Sequence, residues 1–225
     1  MGTPCLNIGY QVRKNWYPPT AGSTVHVHQL ATQLAARGHR LHTLVPGCSA
    51  PNVSCYSIGQ IRHFLRNIDV LYIRIFGAWQ LGKFSLLKLT RWARLPVIWE
   101  VNAPLEEHLL TGYTSRQIRR MYREIRLLAR FADVAICVTE PLADYVHQRW
   151  GVRQCKVIAS GSDPHIFSPS FRCAQVYKRW HGKYKIIWAG SPQYAWQGAG
   201  FMVELARRLR EVDSTICLMI AGKPE

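Results

Sequence analysis

Short apolar runs alternate with helix-like periodicities along the whole chain. Residues 6–10 form a β-compatible run, followed by a loop that carries Pro18, Pro19 and Gly22. Ser23 or Thr24 can cap a helix there, in which Val27, Leu30, Ala31, Leu34 and Ala35 recur at helical spacing and build one apolar stripe. Gly38 stands where a left-handed C-cap is easiest, and a strand is expected at 41–45. Further strands are expected at 69–76, 96–101, 134–138 and 156–159. Helices separate them: a basic one near 84–94, one marked by Ile118, Met121, Ile125 and Leu128, and one that Pro141 begins and Gly151 stops. Strands alternating with helices predict an α/β fold with a parallel sheet covered on both faces.

Residues 160–169 break this rhythm with Gly161, Asp163, Pro164 and Pro169. They mark a linker, so that 1–165 form a first domain and 166–225 hold the linker and the start of a second. A strand at 186–189, a helix at 198–210 and a strand at 216–220 follow. About forty residues of βαβ cannot bury both faces of a sheet, since domains usually need upward of fifty. The second domain is therefore expected to be incomplete.

Composition narrows the class. Hydrophobic residues make up 48% of the 225, with eight Trp and ten Tyr, enough for a sizeable core and too much for disorder. No apolar stretch has membrane-spanning length, and the N-terminus lacks a signal-peptide pattern; with the cysteines scattered, a cytoplasmic chain, or one at the inner face of a membrane, is the expectation. Seven scattered cysteines with no CxxC pair exclude a zinc or disulfide scaffold; Cys137 and Cys217 lie in apolar runs and read as core residues. The formal charge is +16, no Asp or Glu precedes Asp69, and Arg116, Arg119, Arg120, Arg123, Arg126 and Arg130 share one helix and its end. Such a field attracts an anion, whether acidic lipid or a phosphorylated small molecule. Nucleic acid is disfavoured, because there is no zinc pattern, RNP-like aromatic pair or basic arm.

Three places carry candidate chemistry. Gly22 and Ser23 put free backbone amides at the positive end of a helix, fit for a phosphate or a sugar hydroxyl, and His26 lies one turn on. His26 and His28 have no partner at helical ligand spacing, so no metal is expected. Glu100 and Asn102 lie at the C-terminal end of the strand at 96–101, the edge at which open parallel sheets bind ligands. A charge ending an apolar run is costly to bury without a use. Finally, Gly190 and Ser191 end a strand, and Gln197 and Gly198 open the next helix, a second arrangement fit for a diphosphate.

Taken in order, these segments resemble glycosyltransferase family four, retaining enzymes of the GT-B fold. The resemblance is carried by Gly22 with Val25-His26-Val27, Leu30-Ala31, Leu34 and Arg37-Gly38-His39, and by Glu100-Val101-Asn102-Ala103-Pro104-Leu105. It continues through Ala132-Asp133-Val134, Val138-Thr139, Leu142, Gly161-Ser162-Asp163, Phe167-Ser168-Pro169, Gly190-Ser191 and Trp196-Gln197-Gly198. It implies two Rossmann-like domains, the first for an acceptor and the second for a nucleotide-sugar donor. It also implies hexosyl transfer to a glycan or lipid-linked acceptor, with helix dipoles rather than a metal neutralising the leaving diphosphate. Glu100 and Asn102 would line the reacting sugar, Gly22, Ser23 and His26 would hold the acceptor, and Gly190, Ser191, Gln197 and Gly198 would face the donor phosphates. The family usually places Arg and Lys where Ser191 and Gln197 stand, with Lys183 and Lys185 the nearby cations. Its later acidic pair would lie beyond Glu225, which implies a truncated or split half completed by a complementary chain. Docking on an anionic membrane, through the acid-free N-terminal third and the arginine-rich helix, is expected to bring such an acceptor within reach.

Overall fold

The computed structural model describes residues 4–12, 16–19, 22–45, 49–75, 84–165, 167, 168, 170, 178–190 and 197–221. The chain divides into two compact units, 1–106 with 114–160, and 107–113 with 161–225.

The first unit is built on seven strands: β1 (Asn7–Gln11), β2 (Arg40–Thr43), β3 (Val53–Cys55), β4 (Val70–Arg74), β5 (Val97–Val101), β6 (Val134–Cys137) and β7 (Cys155–Val157). Every pair is parallel and the spatial order is β3-β2-β1-β4-β5-β6-β7. Helices α1 (Gly22–Ala36), α2 (Ile61–Arg66), α3 (Phe84–Trp92), α4 (Ser115–Ala129) and α5 (Glu140–Tyr145) connect them. This is the α/β, Rossmann-like sheet that the alternation of strands and helices implied. The order reverses between β1 and β4, and the crevice outside the C-terminal ends of strands at such a reversal is where ligands bind in open α/β sheets.

Local chemistry explains the boundaries. After α1, Gly38 takes φ 88° and the His39 amide reaches back to the Leu34 carbonyl, closing the helix in a left-handed cap. The Thr114 side chain accepts from the Gln117 amide to start α4, and Thr139 does the same from Leu142 for α5. One wider turn, Val146–Trp150, extends α5 before Gly151 (φ 83°) ends it. Two elements were not expected. The edge strand β3 has only three residues, two of them exposed, and α2 is too short to show a period although Phe64 and Leu65 are buried.

The core holds Tyr10, Trp16, Val27, Ala31 and Leu41 on the β1 side and Trp99, Ile125, Cys137 and Trp150 further along the sheet. Trp99 meets Trp150 edge to face at 6.4 Å, and Trp150 meets Tyr145 at 5.9 Å. Among the described residues no helix is long and apolar enough to cross a membrane.

The second unit carries β8 (Tyr184–Ala189), α6 (Ala199–Val212) and β9 (Ile216–Ala221), with β8 parallel to β9 over the full strand length. Its apolar residues are poorly covered: Ile187 is 66% exposed, Phe201 69% and Val212 84%. Cys217, expected in a core, is only half-buried, because a two-stranded sheet under one helix has little interior to offer.

Candidate active site

Register sets the first site. Tyr10 on β1 pairs with Tyr72 on β4, and Arg74 on β4 pairs with Glu100 on β5. Alternation puts Tyr72 and Arg74 on one face and Glu100 on the same side of the next strand, so hydroxyl, guanidinium and carboxylate gather at the C-terminal edge beside the order reversal. Helix α1 adds His26 from above.

Glu100 is 3% exposed, and a lone carboxylate at that depth would be very unfavourable. Here Oε1 meets three partners, two of them by hydrogen bonds and Arg74 as an ion pair. His26 Nε2 lies at 2.9 Å, Asn102 Nδ2 donates at 2.7 Å, and Arg74 Nη1 stands at 3.3 Å. Burial pushes the Glu100 pKa up, but the His26 hydrogen bond, the Arg74 charge and the Asn102 amide outweigh it, so the carboxyl lies below its ordinary range and stays ionised at neutral pH. Burial and the neighbouring carboxylate both push the Tyr72 phenol up, and burial first, then Glu100, do the same for Tyr10. Both tyrosines are therefore neutral.

Two acceptor atoms of this cluster, Glu100 Oε2 and Asn102 Oδ1, are buried and have no hydrogen-bond partner within 3.5 Å among the described residues. The His26 side chain, in contrast, is 37% exposed. The imidazole is thus the part of the cluster that solvent, or a ligand, meets first.

Gly22 and Ser23 are exposed at the first turn of α1, and a Cβ built on Gly22 would touch nothing within 4 Å. Nothing in the packing of the described residues demands glycine there. His28 leans against the Tyr17 ring at 5.6 Å, which accounts for it by packing.

A second polar knot fixes the segment that follows β5. The Glu106 carboxylate accepts from the Tyr122 and Tyr145 hydroxyls, both at 2.5 Å, while the Leu105 amide donates to Tyr145 at 3.0 Å. Burial raises the Glu106 pKa, but the two phenols more than offset it and the carboxyl lies below its ordinary range. Residues 102–105 are therefore held from both ends, by Glu100 and by this knot.

In the second unit the structure brings Gly190, Gln197 and Gly198 together; Ser191 lies outside the described residues. A Cβ on Gly190 would stand 2.6 Å from Gln197 Oε1 and 2.7 Å from the Trp188 ring, so only glycine fits. Gly198 takes φ 75° as the residue before α6, a conformation glycine adopts freely. Lys183 and Lys185 do not serve this loop. Lys185 precedes Gly190 by five residues along an extended strand, roughly 16 Å at 3.3 Å per residue, and its Nζ donates to the Lys183 carbonyl. Lys183 Nζ donates to the Ser214 carbonyl at 3.0 Å, at the opposite end of β8.

The sequence profile of Glycosyltransferase Family 4 matches residues 20–166. The chain belongs to glycosyltransferase family 4. The matched span contains α1, the Glu100 cluster and the Glu106 knot. A search of the curated proteins gives no match. Solved structures do match, among them sucrose-phosphate synthase from Thermosynechococcus elongatus, with a TM-score of 0.52 at 12% identity. That alignment covers 96% of this chain and 70% of the other, and at such low identity it shows a shared GT-B fold.

Sequence reasoning alone did not find Arg74, Tyr72 and Tyr10 for this cluster. A signal existed for Arg74, a charge inside an apolar run like that of Glu100. None existed for the Glu106 knot, whose members are 16 and 39 residues apart.

Proposed function

We propose that the chain transfers a hexosyl group from a nucleotide-sugar donor to a glycan or lipid-linked acceptor, with retention of configuration and without a metal ion. The observation that carries this reading is the buried Glu100 carboxylate gripping a half-exposed His26 at the C-terminal edge of the sheet. With Nε2–H donating to Glu100, the other ring nitrogen is an acceptor for a ligand hydroxyl. Glu100 then acts through His26 and Asn102 as a positioning residue, while His26 meets the acceptor. Gly22 and Ser23 add backbone N–H groups and the positive end of the α1 dipole.

The donor belongs on the second unit, where Gly190, Gln197 and Gly198 lie together before α6 and Ser191 follows Gly190 in sequence. In the transfer, the bond from the anomeric carbon to the diphosphate breaks and a bond to the acceptor oxygen forms on the same face. The acceptor proton passes to the departing diphosphate oxygen, so no strong base is required. Backbone amides and the α6 dipole stabilise the charge that develops there.

The test is transfer from radiolabelled UDP- and GDP-hexoses to lipid and glycan acceptors, with and without EDTA. The expected result is a product of retained anomeric configuration, insensitive to EDTA, with kcat/KM lowered about 100-fold by His26→Ala, the lower range for a group acting on a reacting proton or hydroxyl. Absence of both transfer and nucleotide-sugar binding would overturn the proposal. A second reading is favoured by the exposed Ile187, Phe201 and Val212: a non-catalytic half whose second unit is covered by a complementary chain. It predicts acceptor binding without donor binding.

A further inference from the structure

The edge of the first sheet opposite Glu100 carries a different chemistry. Where β5, β6 and β7 begin, the ends of α3 and α4 and the loop before β7 enclose an open cleft of about 760 Å³. Four arginines line it: Arg91 from the last turn of α3, Arg126 from the last turn of α4, Arg130 just beyond it, and Arg153 from the loop. Among the described residues none of the four forms an ion pair. The one acid in the lining, Asp133, is already engaged, accepting from the Val97 amide at 2.8 Å through Oδ2.

Cations near helix C-termini complement the helix dipole, and that would account for Arg91, Arg126 and Arg130 taken singly. It does not account for Arg153, which is on no helix, nor for the convergence of all four on one cleft. Nor does it account for the apolar neighbours. Arg91 is followed by Trp92, 86% exposed, and Arg126 by Leu127, 47% exposed. Arginine beside exposed Trp and Leu is the combination that settles at the boundary between lipid headgroups and acyl chains. The rest of the arginine-rich helix is disposed otherwise: Arg120 bonds Glu124 at 3.0 Å, while Arg116, Arg119 and Arg123 are exposed and do not line the cleft.

We propose that this cleft binds the phosphate of an anionic lipid headgroup and docks the chain on an acidic membrane surface, with Trp92 and Leu127 entering the interface. The site is independent of the sugar-transfer reading, because it lies at the other edge of the sheet and shares no residue with the Glu100 cluster. Docking is therefore assigned to four particular arginines rather than to the overall charge.

The experiment is co-flotation of the full chain with vesicles of phosphatidylcholine alone or with phosphatidylglycerol, at low and at physiological salt. Two triple variants remove the same number of positive charges: R126Q/R130Q/R153Q within the cleft, and R116Q/R119Q/R123Q outside it. Near an anionic surface each arginine is worth about fivefold in partition, so the cleft triple should lose about 100-fold. The outer triple should lose less than tenfold, and Trp92→Ala should weaken binding with no change of charge. Circular dichroism confirms that each variant is folded. Equal losses for the two triples would overturn the proposal in favour of diffuse attraction, as would partition that ignores phosphatidylglycerol. Tight calorimetric binding of soluble glycerol phosphate, lost in the cleft triple and unaccompanied by vesicle binding, would also overturn it, identifying a soluble phosphate ester as the ligand.

Discussion

The Glu100–Arg74 contact permits a quantitative test of what the buried cluster contributes. Glu100→Gln keeps an oxygen that can accept from His26 and Asn102 but removes the charge facing Arg74, which is itself only 7% exposed. Removing one partner of a buried ion pair typically costs 3–5 kcal/mol, because the remaining charge is left uncompensated. The retained hydrogen bonds put Glu100→Gln near the lower end, about 3 kcal/mol. For a domain of about 150 residues that corresponds to a fall in Tm of roughly 6–12 °C. Replacing both partners by uncharged side chains of similar volume is often close to neutral. The double variant E100Q/R74M should therefore stand within about 1 kcal/mol of the parent, with a coupling energy of at least 2 kcal/mol. Urea unfolding followed by tryptophan fluorescence measures all four corners of the cycle, with the buried Trp99 and Trp150 as reporters in the same unit. Hexosyl transfer measured in parallel separates the roles. Stability should return in the double variant while activity should not, since His26 then faces a neutral amide in place of the carboxylate. A Glu100→Gln protein within 0.5 kcal/mol of the parent, with coupling near zero, would refute the reasoning.

Three further outcomes follow from the same geometry. The folded-state pKa of Glu100 lies below its unfolded value, so its contribution is fully present above about pH 4.3 and is lost as pH falls through the lower folded value; urea midpoints from pH 7 to pH 3 should fall less steeply for E100Q/R74M than for the parent. Gly22→Ala should leave stability within about 0.5 kcal/mol, since an added Cβ meets nothing, and should raise the acceptor KM if a ligand rests on that backbone; unchanged kinetics would remove Gly22 from the site. Gly190→Ala forces a Cβ to within 2.6 Å of Gln197 and 2.7 Å of Trp188, which should destabilise the second unit by about 1–3 kcal/mol and weaken nucleotide-sugar binding in calorimetry; wild-type affinity would separate Gly190 from the donor.

The sheet was legible in the sequence wherever an element was long enough to show its period. The strands around Tyr10, Leu41, Leu71, Trp99, Ala135 and Lys156 announced themselves as apolar runs between helical stripes. The strand around Val53 did not, because three residues at an exposed edge carry no alternation, and Ile61–Arg66 makes fewer than two turns. The site was legible in part, for one reason: a charge that ends an apolar run is energetically conspicuous. Glu100 stood out on that ground. Its contacts with His26 and Arg74 were not visible, since they depend on which strand lies beside which and on where α1 returns, and neither is encoded locally. The basic cleft illustrates the same limit. Arg91, Arg126, Arg130 and Arg153 are spread over sixty-two positions in sequence, 153 − 91, and meet only because α3, α4 and the loop before β7 end at one edge.

The knot of Glu106, Tyr122 and Tyr145 has a kinetic and thermodynamic consequence. It ties residues 102–105 to α4 and α5, so the orientation of Asn102 is fixed before any ligand arrives. Immobilising a flexible side chain on binding typically costs 0.5–1.5 kcal/mol, and a segment fixed in advance spares most of that. Association at this edge should therefore resemble a key entering a cut lock, with a small entropic penalty, rather than a hand closing around an object.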